Sequence, residues 1–299
     1  MKVGFIGLGN MGGPMARRVI DAGHQVTVHD LREEAAATHL QKGARWAGTP
    51  AEAAKGADAV LMSLPMPRDV RQVCLGPGGV MAGIARGAVV ADLTTNSLAM
   101  VQELHRAFAE RGVDFLDAPV SGGSRGATSG DLAVWAGGSE AVYLRLKPLF
   151  DALGDKPMYC GDIGSGTVCK LCHNLFARIL AQTVAEVLTL GVKAGVPLET
   201  LVDALSKGGS SKHPPFENWR TRRITRDFEP DGASFALALA TKDVKLACEM
   251  GRDLAVPMDL APLVEQRMIE AMNRGWGKKK AMVLRLLQEE RAGVELRFK

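Results

Sequence analysis

The 299-residue chain is 46% hydrophobic and 23% charged, with a formal net charge of +4, a balance that fits a folded globular protein and excludes an extended disordered one. Aromatics make up only 5% and the Lys and Arg are scattered apart from Lys278 to Lys280 and Arg220 to Arg226. A nucleic-acid surface needs a dense basic stripe with interleaved aromatics, so none is expected.

The five cysteines, at 74, 160, 169, 172 and 248, form no disulfide framework, and the opening "MKVGFIGLGNMGG" lacks the features of a secretory signal. The expectation is a cytoplasmic protein with reduced thiols. No stretch reaches 18 uninterrupted apolar residues, since even 175–196 carries Arg178, Gln182, Glu186 and Lys193; no membrane span is expected.

In chain order, "KVGFI" at 2–6 predicts a buried strand, followed by a Gly-rich turn and a helix over "PMARRVIDAG" that stops at Gly23. "HQVTVHD" at 24–30, "DAVLMSLP" at 58–65, "AVVADLT" at 88–94 and "VDFLDAP" at 113–119 read as further strands, with a short "ARWAG" between the first two. Between them lie "EEAAATHLQKG", "PAEAAKG" and a helix near 97–111. "DLAVWAG" at 131–137 and "KPMYCG" at 156–161 flank a helix at 139–152 as the last two strands. Strands alternating with helices predict βαβ units and a parallel sheet covered on both faces.

After Gly161 the strand signals stop. Ser165 is a candidate cap for a helix whose apolar positions, Val168, Leu171, Leu175, Ile179, Val184, Val187, Leu188 and Val192, keep helical spacing until Gly195 and Pro197. About 28 residues make a rod of roughly 40 Å. "LETLVDALSKG", "FALALATKDVKLACEMGRDL" and "APLVEQRMIEAMNRG" continue the helical pattern. The expected fold is α/β: a Rossmann-type doubly wound sheet over 1–162, then an all-α domain over 163–299, joined by a long interdomain helix at about 165–194.

Gly7-Leu8-Gly9-Asn10-Met11-Gly12 spells G-x-G-x-x-G. Alone it is a weak signal, and a tight turn that binds nothing has the same glycines. Here it follows a strand, opens a helix, and is followed by Asp30 at the end of the next strand, the context of a dinucleotide site. Backbone N–H groups at the helix N-terminus would hold the pyrophosphate. Asp30 would accept from the adenosine ribose hydroxyls and repel a 2′-phosphate, favouring NAD; Arg32 nearby could pair with that phosphate, so NADP stays possible.

"GSGTVCKLCHN" at 164–174 supports three readings. Cys169 to His173 matches the C-x-x-C-H of haem attachment, which normally follows export. Cys169 and Cys172 alone could form a dithiol, although such motifs open a helix and these lie inside one. The plainer reading makes both cysteines small buried hydrophobes on one helix face. The third reading takes Lys170 and Asn174, which at i and i+4 share a face. A lysine in so apolar a helix either snorkels to the surface or emerges into a polar cleft, where desolvation brings an ammonium toward proton-transfer range.

"GFIGLGNMGGPMA" resembles the opening signature of the β-hydroxyacid dehydrogenase family, which includes 3-hydroxyisobutyrate dehydrogenases and tartronate semialdehyde reductases. "SLP" at 63–65, Asp92 to Thr95, "DAPVSGG" at 117–123, the G-x-G-x-x-x-K-x-x-x-N of Gly164 to Asn174, and Lys242-Asp243 are similar to further family blocks.

The resemblance implies an oxidoreductase passing a hydride between NAD and a small 3-hydroxy acid or its semialdehyde. Lys170 would be the general acid/base and Asn174 would orient the substrate oxygen. Ser121, Gly122 and Gly123 would hold a carboxylate, Lys242 would reach the cofactor side, and Leu64, Pro65 and Thr95 would line the nicotinamide. It implies a homodimer or homotetramer and no metal. In the NADP-using members the strand bearing Asp30 tends to end Asn-Arg-Thr, and Leu31 stands at the position of that Arg, which supports NAD.

Two departures stand out. His173 gives K-x-x-H-N, the form of the related 6-phosphogluconate dehydrogenases, but "LFAR" follows where they have G-I-E-Y, and the chain is shorter than the usual member. The loop 208–219, "GGSSKHPPFENW", falls at the family's substrate-selecting segment, where Lys212 and His213 are candidates for a second substrate anion or are solvated loop charges. A decarboxylating phosphosugar-acid dehydrogenase, an imine reductase and a non-catalytic dinucleotide-binding module are the alternative functions.

Overall fold

The computed structural model describes residues 1–208, 227–230 and 235–296. It separates into two compact units, Met1–Leu171 and Cys172–Lys299. The division therefore falls inside the long helix, whereas the sequence reading places it ahead of that helix.

The first unit is built on nine strands: β1 (Lys2–Ile6), β2 (Gln25–His29), β3 (Arg45–Trp46), β4 (Ala59–Met62), β5 (Val89–Asp92), β6 (Asp114–Asp117), β7 (Val120–Ser121), β8 (Ala133–Gly137) and β9 (Lys156–Gly161). Their order is β3-β2-β1-β4-β5-β6-β8-β7, with β9 on β8. Strands β1 to β6 pair in parallel, β8 runs antiparallel to β6 and β7, and β9 is parallel to β8. The chain moves outward from β1 to β3, then returns to the other side of β1 as β4. The C-terminal ends of β1 and β4 thus form a topological switch point, where open α/β sheets bind ligands.

The helices of this unit are α1 (Gly12–Asp21), α2 (Ala37–Gln41), α3 (Pro50–Ala54), α4 (Pro67–Leu75), α5 (Val80–Gly83), α6 (Leu98–Ala109), α7 (Gly123–Ser129) and α8 (Glu140–Leu153). The central strands are apolar on both faces because helices cover both. Alternate residues feed two cores: Val3, Phe5, Ala59, Leu61, Val89 and Ala91 enter one, and Ile6, Val60, Met62 and Val90 the other. Phe5 is fully buried, and its truncation to Ala would cost about 3–5 kcal/mol.

Helix α9 (Ser165–Lys193) begins in the first unit and continues into the second. Ser165 opens it, but the cap that the structure supplies comes from Asp117, whose carboxylate accepts from the N–H groups of Gly164 and Thr167. A carboxylate at the end of a distant strand thus does the capping that the sequence reading gave to a local serine.

The second unit adds α10 (Leu198–Lys207), α11 (Leu237–Asp253), α12 (Leu260–Asn273) and α13 (Leu284–Ala292). One apolar cluster gathers Leu237, Val244, Cys248, Val264, Met268 and Leu287, with Leu175 and Ile179 against it; another gathers Val184, Leu188, Leu198, Val202 and Leu296. A buried Arg285 donates to Glu289 at 2.8 Å. The other Glu289 oxygen accepts from the Leu296 N–H at 3.2 Å. Together these tie the end of the described chain to α13.

By length and composition alone α9 is long and apolar enough to cross a membrane, despite the polar interruptions. Its Val184 and Leu188 nonetheless sit in a protein core. Only 22% of its most apolar window is buried within the chain, and Phe176 and Leu190 are exposed.

Candidate active site

Strand β1 runs directly into the Gly-rich turn, and the three motif glycines have different physical reasons. Gly7 has a φ of +90°, and a Cβ there would lie 2.3 Å from the Ser63 carbonyl oxygen. At Gly12 a Cβ would lie 1.9 Å from the Gly7 carbonyl oxygen. The chain's own packing therefore demands glycine at both. Gly9 has no positive φ and nothing within 4 Å of its missing Cβ, so neither backbone nor packing accounts for it. The open space beside an exposed Gly9 is what a ligand pressed against the backbone requires.

Met11 provides no side-chain cap to α1 and the first turn holds no acidic residue. The positive end of α1 therefore meets no side-chain acceptor of its own, which suits it to a phosphate. Leu8 is buried and Asn10 exposed on this turn. Asp30, just beyond β2, accepts from the Leu8 N–H at 2.7 Å with one oxygen and from the Arg32 N–H at 3.0 Å with the other. Each carboxylate oxygen keeps a further lone pair for a ribose hydroxyl, so Asp30 locks the turn and remains able to accept. Arg32 is exposed, and Leu31 is 98% exposed. The turn and its acidic neighbour fit a dinucleotide.

Across the switch point, Leu64 donates its N–H to the Thr94 hydroxyl at 3.0 Å. Thr94 N–H and Asn96 Nδ2 both donate to Asp92, at 3.0 and 2.9 Å, and Asn96 in turn accepts from the Ser97 N–H at the start of α6. One buried carboxylate thus organises the turn bearing Thr95 and anchors the turn bearing Leu64 and Pro65. Burial pushes its carboxyl up to about 6, against the downward pull of its Thr94 and Asn96 hydrogen bonds.

Ser121 closes β7, and Gly122 (φ +140°) and Gly123 (φ +65°) turn the chain into α7. Both glycines are exposed and no atom crowds the missing Cβ of Gly123. These conformations explain the glycine pair in "VSGG".

Lys170 is buried at 8% exposure, with its Nζ 5.8 Å from the centroid of the Trp135 ring on β8. In the second unit Asn174 Nδ2 donates to Asp243 Oδ2 at 2.6 Å. Lys242 Nζ lies 3.2 Å from Asp243 Oδ1. Lys242 thus has a carboxylate neighbour, and its side chain is only 11% exposed.

The cysteines depart from their sequence reading. Cys169 is half-buried and Cys172 exposed rather than both buried, because α9 presents position 172 to solvent. Cys169 neighbours Cys160, whose thiol is pushed up to about 12 by burial and by that neighbour. All five cysteines are free thiols. Among the described residues no cluster of three His, Cys, Asp or Glu side chains could hold a metal. Lys212 and His213 lie outside the described residues.

The sequence reading missed Asp243 as the partner of Asn174, Trp135 as the neighbour of Lys170, and the structural work of Asp92 and Asp117. A carboxylate ending an otherwise buried apolar strand was the available signal for the last two.

Two family models cover the chain. Residues 2–161 match the NAD binding domain of 6-phosphogluconate dehydrogenase, and residues 164–287 match the NAD-binding of NADP-dependent 3-hydroxyisobutyrate dehydrogenase. The 2-(hydroxymethyl)glutarate dehydrogenase of Eubacterium barkeri is 32% identical over 99% of this chain and 97% of its own. The chain belongs to the β-hydroxyacid dehydrogenase family.

Within that family, the NAD-dependent L-serine dehydrogenase of Pseudomonas aeruginosa is 32% identical over 98% of this chain and 99% of its own. The crystal structure of a 3-hydroxyisobutyrate dehydrogenase from Salmonella typhimurium superposes with a TM-score of 0.81 at 32% identity, covering 96% of this chain and 99% of that one. The protein is an NAD(P)-dependent oxidoreductase. The hydroxyacid dehydrogenase reading is supported over the decarboxylating, imine-reducing and non-catalytic alternatives. Imine reductases at 18–20% identity share the fold alone.

Proposed function

We propose that the enzyme interconverts a small 3-hydroxy acid and its semialdehyde with NAD as the preferred cofactor, and that Lys170 carries the proton. The observation behind this reading is a lysine at 8% exposure, one turn before Asn174 on a single helix. Burying an ammonium this far is costly and has to be offset by partners around it, and such buried titratable groups gather at functional sites.

The Gly9 to Gly12 turn and the N-terminus of α1 hold the pyrophosphate, and Asp30 accepts from the adenosine ribose. The nicotinamide supplies hydride transfer to and from the carbinol carbon. Lys170 takes the hydroxyl proton in oxidation and returns it in reduction, directly or through water. Asp243 can only accept, so its bond to Asn174 must use the amide nitrogen. The Asn174 carbonyl oxygen is left to accept from the substrate hydroxyl and orient it. Ser121 and the Gly122 and Gly123 amides hold the carboxylate, while Leu64, Pro65, Thr95 and Lys242 border the cofactor.

Cytoplasmic residence with reduced thiols, and no membrane or nucleic-acid partner, complete the proposal. A homodimer or homotetramer is part of it too, supported by the exposed apolar residues of α9.

The test follows nicotinamide absorbance with NAD or NADP across a panel of 3-hydroxy acids and semialdehydes, wild type beside Lys170→Ala. Turnover that depends on Lys170 is expected. A Lys170→Ala enzyme as active as wild type would end the mechanism.

A further inference from the structure

Lys170 can act only if the first turn of α9 is held at a fixed height and rotation above the sheet, and the described residues show what holds it. Asp117 is the last residue of β6 and 1% exposed. One of its oxygens accepts from the Gly164 N–H at 2.7 Å and the other from the Thr167 N–H at 2.6 Å. These donors are three residues apart, nearly a full turn. Two short charge-assisted bonds to them fix both the axial position of the helix and its rotation. A serine or asparagine cap, with a single neutral acceptor oxygen, would lack the two separate charged acceptors that meet the two amides here.

Glycines bring the same turn into direct contact with the sheet. A Cβ at Gly166 would lie 2.1 Å from the Trp135 carbonyl oxygen and 2.8 Å from that of Asp117. A Cβ at Gly137, the register partner of Asp117 on β8, would lie 2.5 Å from Asp117 Oδ1 and 2.9 Å from the Gly166 nitrogen. Gly166 and Lys170 are i and i+4 on one helix face. The face that rests on the backbone at Trp135 therefore also carries the lysine whose ammonium lies over the Trp135 ring.

We infer that Asp117 is a positioning residue for the reaction: by holding the Gly164 and Thr167 amides it sets where Lys170 meets the substrate. The inference rests on the proposed role of Lys170. Burial raises the Asp117 carboxyl while the two amides pull it down, and only the ionised form offers an acceptor to each.

The experiment compares full-length wild type, Asp117→Asn, Gly164→Ala and Lys170→Ala in kcat, KM for the best substrate of the panel, NAD affinity by calorimetry, and thermal unfolding. Asp117→Asn keeps the shape but faces one amide with an NH₂ group. Its kcat should fall about 10- to 100-fold, the scale of a misplacement near 1 Å, with NAD affinity and KM within about threefold of wild type. Gly164→Ala strains a φ of +94° and displaces the same amide, while its Cβ meets only the movable end of Leu98. It should show the same pattern, and it decides the matter if Asp117→Asn does not fold.

Wild-type kcat in whichever variant folds, or NAD affinity lost in step with kcat, overturns the inference. If Lys170→Ala is inactive while the other variants keep kcat, the positioning role alone fails. If Lys170→Ala keeps full turnover, the role of Lys170 fails and this inference with it.

Discussion

Asn174 donates its amide nitrogen to Asp243 at 2.6 Å, so a carboxylate outside the sequence motif decides which way the motif's asparagine points. The pair should behave as one unit in kinetics. In a double-mutant cycle of Asn174→Ala and Asp243→Asn, each single change should lower kcat/KM, and the double should cost less than their sum by about 1 kcal/mol or more. Additive losses would separate the two residues.

The motif glycines should divide by experiment as they do by geometry. Gly9→Ala should fold with near-wild-type stability, since its Cβ meets nothing, and lose NAD affinity. Gly12→Ala, forced against the Gly7 carbonyl oxygen, should lose about 1–3 kcal/mol of stability. Thermal unfolding without cofactor, beside calorimetric titration with it, distinguishes the two. A Gly9→Ala enzyme that binds NAD normally would remove the cradle from the account.

Asp30→Ala should weaken both cofactors, because the Leu8 amide loses its acceptor, but NAD more than NADP, because only NAD offers both ribose hydroxyls. A loss of about 10-fold or more in NAD affinity is the scale for a charged hydrogen bond. Fluorescence titration with the two cofactors reads the ratio, and an unchanged ratio would move the preference elsewhere.

Asp92 gives a prediction in pH. Its folded carboxyl is pushed up to about 6, whereas in the unfolded chain it titrates near 4. The folded state therefore keeps this proton where the unfolded state has lost it. The resulting stabilisation is full below about pH 4 and is lost as pH rises through about 6. Asp92→Asn lacks the titration. The stability of wild type relative to the variant should thus fall by about 2–3 kcal/mol between pH 4 and pH 7. Denaturant unfolding at both pH values measures it, and a constant difference would mean an ordinary carboxyl.

Apart from the two-residue β3 and β7, the strands and main helices were legible because their signals are local: apolar runs bounded by Gly and Pro, and the helical spacing from Val168 to Val192. The short helices α4, α5 and α7 had too few turns to show a period. The Gly-rich turn, Asp30, Lys170 and Asn174 were legible as motifs. The Asp117 cap was not, since Ser165 stands in the usual place while the acceptor comes from a strand 47 and 50 residues away from its two donors. Asp243 was read only as part of the Lys242-Asp243 block, because its bond to Asn174 spans 69 residues. The Cys169 and Cys172 spacing fixed their angular separation but not which side solvent takes.

Leu31, next to the residue proposed to choose between cofactors, leaves 98% of its surface in water. Almost nothing in the described fold depends on its side chain. Substitutions there are nearly free of folding constraint, so a lineage could exchange one nucleotide pool for the other without first re-engineering the sheet. Redox partnership in this scaffold is evolvable at a position that stability scarcely polices.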